Sequence, residues 1–95
     1  MNSAEAKALL EAELGKYRSR PYEELAAMVG KSERVEATAS SGTWYQIVVQ
    51  ALWDDPRKPN TVLRVAGAID DGGIRAYVPL TDSFLVTSSG EFVGE

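Results

Sequence analysis

The residues with the most obvious chemistry are five aspartates: Asp54-Asp55, Asp70-Asp71 and Asp82. Clustered carboxylate oxygens bind Ca²⁺ or Mg²⁺, and two carboxyls held together divide into an acid and a base because both resist ionising at once. Little other chemistry is available. The chain contains no histidine and no cysteine. It cannot by itself build a Ser-His-Asp triad, a His-based zinc site, a thiol nucleophile, a disulfide framework or an iron–sulfur cluster. A Lys–Ser dyad needs a desolvated amine. The four lysines, Lys7, Lys16, Lys31 and Lys58, all stand among polar helical or loop residues. The aspartates also have a plainer reading. Asp before Pro or Gly is turn chemistry, in which the side chain bonds its own backbone, and Asp54-Asp55-Pro56 and Asp70-Asp71-Gly72-Gly73 both fit it. The second run lacks the lysine and the following helix of a phosphate loop. The residues point away from an enzyme, and no cofactor is implied.

The elements decide which of these groups can meet. Leu9, Leu10, Leu14 and Tyr17 recur at helical spacing behind Ser3, whose hydroxyl suits an N-cap, and predict a helix over Ala4 to Tyr17. Pro21, Glu23 and Glu24 mark the start of a second helix whose apolar face is Leu25, Met28 and Val29, with Gly30 as its stop. After Lys31 the period becomes two. Val35, Ala37 and Ala39 define one strand, and Tyr45, Ile47, Val49, Ala51 and Trp53 the odd face of a long second one. Leu63, Val65 and Ile69 follow in a third. Asp70 to Gly73 reads as a tight hairpin into a fourth strand carrying Ile74, Ala76, Val78 and Leu80. Phe84-Leu85-Val86 and Phe92-Val93 complete the pattern. Short connections imply antiparallel neighbours, and two helices cover one face of a sheet. The fold class is α+β: one domain over 1–95, with a helical hairpin (1–30) packed on one face of an antiparallel meander of four to six strands (33–93).

That topology separates the carboxylates. Asp54 and Asp55 fall at one end of the sheet and Asp70 and Asp71 at the other, about 33 Å away for a ten-residue strand. Asp82, a strand later, returns toward Asp54 and Asp55, so these three form the one divalent-ion site the pattern allows, without EF-hand spacing. A small-molecule or metal-binding accessory domain is the functional alternative that follows.

The even face of the strands carries more information. Trp44, Val48 and Leu52 on the second strand, Arg64 on the third, and Arg75 and Tyr77 on the fourth make it more apolar than a solvated face needs. Trp, Tyr and Arg are enriched at interface hot spots, where area and directional polar groups combine. Either the segment Phe84 to Val93 or the outer part of a helix folds over this face, or a partner does. The functional expectation is therefore a non-catalytic interaction or regulatory module that docks an unknown protein or a second copy of itself.

Ninety-five residues with a net charge of −4 and a pI near 4.8 repel a phosphate backbone, so nucleic acid is not an expected partner. Met1-Asn2-Ser3-Ala4-Glu5 lacks a signal-like start, and no apolar run reaches the ~20 residues of a membrane span. The expected location is the cytoplasm.

Several runs together carry a resemblance: Ser41-Gly42-Thr43-Trp44-Tyr45-Gln46, Trp53-Asp54-Asp55, Ile69 to Gly73, Pro79 to Phe84, Gly90 to Glu95, and the helix start Tyr22-Glu23-Glu24-Leu25. The chain is similar over most of its length to a group of short uncharacterised bacterial proteins. The resemblance implies a bacterial, single-domain, cytosolic protein and brings no activity, cofactor or catalytic residue with it.

Overall fold

In the computed structural model, which describes residues 3–72 and 80–93, helix α1 spans Ser3–Arg18. Ala6, Leu10, Leu14 and Tyr17 are buried along one stripe of α1, as the helical period requires. Glu5 in the first turn and Lys16 and Arg18 in the last suit the helix dipole. Glu5 also ties the helix to the sheet, because its Oε1 accepts bonds from the hydroxyls of Ser41 and Tyr45, each at 2.9 Å.

Helix α2, Tyr22–Ala27, is shorter than the sequence predicts and begins after Pro21 in an extended conformation. Met28 and Val29 lie beyond its end. Lys31 N–H bonds the Met28 carbonyl at 2.8 Å, and Gly30 takes φ 84°, a left-handed geometry that Gly adopts without strain. This turn leaves Val29 as a parallel bridge partner of Ala51 rather than as a helical residue.

The strands are β1 (Ser32–Thr38), β2 (Trp44–Trp53), β3 (Val62–Asp70), β4 (Leu80–Thr87) and the two-residue β5 (Phe92–Val93). They pair antiparallel in chain order, β1-β2-β3-β4-β5. Strict alternation puts Tyr45, Ile47, Val49 and Ala51 of β2, Leu63, Val65 and Ile69 of β3, and Phe84 and Val86 of β4 into the buried layer with α1 and Leu25. Gly67 is where the helix comes closest. A Cβ there would lie 2.9 Å from Leu10 Cδ1 and 3.2 Å from Leu14 Cδ2, inside van der Waals contact.

The strand expected over Ile74 to Leu80 is corrected in one respect: β3 pairs with β4 at Ile69↔Leu80 through Val62↔Thr87. Ile69 therefore faces Leu80 rather than the residue just after a tight turn at Asp70 to Gly73, and the described pairing runs on to Thr87, past the end of the expected strand. The physical reason is volume, since this register gives the buried layer Phe84 and Val86 beside Val65 and Leu63. Residues 73–79, which include Ile74, Ala76, Val78 and the candidate residues Arg75 and Tyr77, lie outside the described residues. Among the described residues, no helix is long and apolar enough to cross a membrane.

Candidate functional site

Since α1, α2 and the buried layer take one side of the sheet, every even position of β1, β2 and β3 faces the other side, together with the odd positions of β4. The registers arrange these residues in rows across the strands. Arg34, Val48, Ala68 and Thr81 form one row, and Ser32, Gln50, Ala66 and Ser83 form the next. Toward one end stand Glu36, Gln46 and Asp70, with Trp44 beyond them; toward the other stand Leu52, Arg64 and Leu85. Among the described residues none on this face is buried. Trp44 and Leu52 are each 40% exposed.

Two intramolecular covers were expected to compete for this surface, and the described residues place neither upon it. The segment from Phe84 extends the sheet as β4 and β5. Phe84 and Val86 point into the helix-side layer, and Phe92 meets the Phe84 ring edge-on, with centroids 5.7 Å apart and planes at 72°. Trp44, Val48, Leu52 and Arg64 share one face as expected, although Trp44 and Leu52 lie toward opposite ends of it. Arg64 is held in place: Nη2 donates to Asp54 Oδ1 at 2.8 Å and Nη1 donates to Ser83 Oγ at 3.3 Å.

The three aspartates of the candidate ion site do not converge. Asp54 follows β2, where its N–H bonds the Val62 carbonyl at 2.9 Å, and its carboxylate is engaged by Arg64. Asp55 Oδ1 accepts the Arg57 backbone N–H at 3.0 Å, the local side-chain-to-backbone bond expected of a turn. Asp82 stands opposite Gly67, five residues along β3 from Val62, or about 16 Å at ~3.3 Å per residue. The expectation that Asp82 returns to Asp54 and Asp55 is thus corrected. It rested on a fourth strand ending at Leu80, whereas β4 begins there and carries Asp82 near its start. Among the described residues, no three acidic side chains come close enough to hold a metal ion. Asp70 Oδ1 caps its own turn through the Gly72 N–H at 2.9 Å.

One strongly perturbed titratable group is Tyr17, which entered the sequence pattern only as a residue of the apolar helix stripe. Tyr17, 2% exposed, donates its hydroxyl to Glu33 Oε1 at 2.7 Å. Burial, then the bond to anionic Glu33, pushes its pKa up to about 12. The Tyr17 hydroxyl, with help from Arg20, holds Glu33 below the usual carboxylate range. Arg20 stacks over the Tyr17 ring, 4.4 Å from its centroid, and its Nη1 lies 3.5 Å from Glu33 Oε2. Near neutral pH the phenol stays protonated and donating, and the cluster clamps α1 to β1. Its sequence signal is faint, because Tyr17 fits the apolar stripe of a helix and Glu33 stands at the head of a strand, outside the alternation that begins at Arg34 and Val35.

A cleft of about 530 Å³ lies between α1 and the start of β4, with Lys7, Glu11 and Asp82 around Leu10 and Leu80. Its volume is within the range of small-molecule sites. No protein-family model, curated protein or solved structure matches the chain. The reading of function therefore stands on the residues themselves.

Proposed function

We propose that this chain is a non-catalytic protein-interaction module that docks a protein partner through the second face of its sheet. One observation carries the reading. Trp44 and Leu52 stand open on a face with Val48, Ala66, Ala68 and Leu85, opposite a face already satisfied by α1. Apolar area of this kind gains free energy when covered, and aromatic and Arg side chains supply the anchors. Arg64, held at its place by Asp54 and Ser83, loses little conformational freedom on binding. The module needs no oxidising compartment, and the cytosol suits it.

Trp44→Glu puts a charge in place of the most open aromatic ring among the described residues of this face and leaves the buried layer untouched. The expected outcome is a folded protein with an unchanged circular dichroism spectrum whose association, measured by sedimentation, is at least about tenfold weaker. Unchanged association in a folded Trp44→Glu protein removes the reading. The rival, an accessory domain for a small molecule, is favoured by the α1–β4 cleft. Its lining combines an ammonium, Lys7, with two carboxylates, Glu11 and Asp82, and apolar Leu10 and Leu80, groups that suit a small zwitterionic ligand.

A further inference from the structure

We propose that the occupant of this face is a second copy of the chain, packed sheet to sheet about a two-fold axis that passes over Gly67. This rests on the interaction reading above and names its partner. Charge supplies the first argument. The protein carries −4 overall, so most of its surface repels a copy of itself. Among the described residues on the strands of this face, however, two cations, Arg34 and Arg64, stand against two anions, Glu36 and Asp70, with Asp54 beside Arg64 just past the end of β2.

The placement of one such pair supplies the second argument. Arg64 and Asp70 lie on β3, the middle strand of the sheet, three residues on either side of Gly67. A two-fold axis parallel to the sheet plane, perpendicular to β3 and above Gly67, exchanges the two positions. Arg64 of each copy then meets Asp70 of the other, the reciprocal pairing that an isologous interface demands. The same axis sets Ala66 and Ala68 at the centre, where small side chains let two sheets approach to about 10 Å. Val49 stands beside Gly67 in register, so the axis also carries Trp44, at one end of the face, onto the end where Val62 of the second copy lies.

Area supplies the third. Four strands ~4.8 Å apart and up to ten residues long at ~3.3 Å each present a face of about 600 Å². That is the lower limit of what each partner buries in a specific complex, about 600–1,000 Å². A reversible dimer in the micromolar range is expected.

The test uses charge exchange, followed by sedimentation velocity and native mass measurement from micromolar to millimolar protein. Wild type is expected to dimerise. Arg64→Glu alone and Asp70→Arg alone each place like charges opposite one another and are expected to weaken the dimer at least about tenfold. Mixing these two folded variants restores both pairs, Glu against Arg and Asp against Arg, and is expected to give a 1:1 heterodimer. The doubly exchanged chain is expected to dimerise on its own. Wild type that stays monomeric to millimolar concentration overturns the proposal, while the face reading survives if Trp44→Glu still abolishes binding to another purified protein. A wild-type dimer that Trp44→Glu dissociates, but that the mixed variants fail to rebuild, keeps the face and overturns this axis.

Discussion

Tyr17, Glu33 and Arg20 couple the stability of the fold to pH at both ends of the scale. Tyr17 keeps its proton up to about pH 12, against 10 for a free tyrosine. Between those values the unfolded chain has lost that proton and the folded chain has not, so stability falls as pH rises from 10 to 12. Two pH units at ~1.4 kcal/mol each bound this contribution at roughly 2–3 kcal/mol. Glu33 acts in the opposite sense. Its pKa is depressed in the fold, first by the Tyr17 hydroxyl, so the stability it confers is present above the usual carboxylate range and fades as pH falls through its own lowered value. Tyr17→Phe keeps the ring under Arg20 and removes the hydroxyl. The expected result, in urea titrations at several pH values, is a smaller loss of stability between pH 10 and 12 and a shallower loss on acidification. Curves that superpose on wild type at both ends would show that the hydroxyl couples nothing.

At the level of elements, the closest approach of α1 to the sheet depends on Gly67. Gly67→Val pushes a branched side chain against Leu10 and Leu14, where even a Cβ has contacts of 2.9 and 3.2 Å, and is expected to destabilise by about 2 kcal/mol through overpacking. A drop in melting temperature measures it. A gain in stability would instead mean that the helix shifts freely over β3. The same elements show how far the sequence could be read. The alternation of Tyr45, Ile47, Val49 and Ala51 is locally complete, so the face of β2 followed from it directly, and with it Trp44, Val48 and Leu52 on the other side. The sequence offers two stretches after β3 as its partner, Ile74 to Leu80 and Phe84 to Val86. Pairing chooses Leu80–Thr87 because Phe84 and Val86 fill the layer under α1, a property of three-dimensional volume that no local pattern expresses. Asp82 moved with that choice, and the candidate ion site dissolved. The Tyr17–Glu33 clamp joins residues 16 positions apart and depends on how α1 lies over the sheet, which periodicity does not set.

For the molecule as a whole, the interaction and accessory-domain readings part on ligand response. A ligand that binds only the folded state raises the melting temperature. With Asp54 held by Arg64 and Asp82 opposite Gly67, millimolar Ca²⁺ or Mg²⁺ is expected to leave it unchanged in a thermal scan. A dimer makes the melting temperature rise with protein concentration instead, because unfolding then also separates the copies. A clear rise with either ion at fixed protein concentration would favour the accessory-domain reading.

Each strand pairs with its neighbour in sequence, yet α1 rests chiefly on β3 and β4. The hairpins can therefore close as the chain emerges from the ribosome, while the helix that precedes them has no complete seat until Phe84 and Val86 have been made. During synthesis the stripe of Leu10, Leu14 and Tyr17 stays exposed for most of the chain's length, a window in which nascent-chain chaperones that bind apolar segments can compete with the sheet for it.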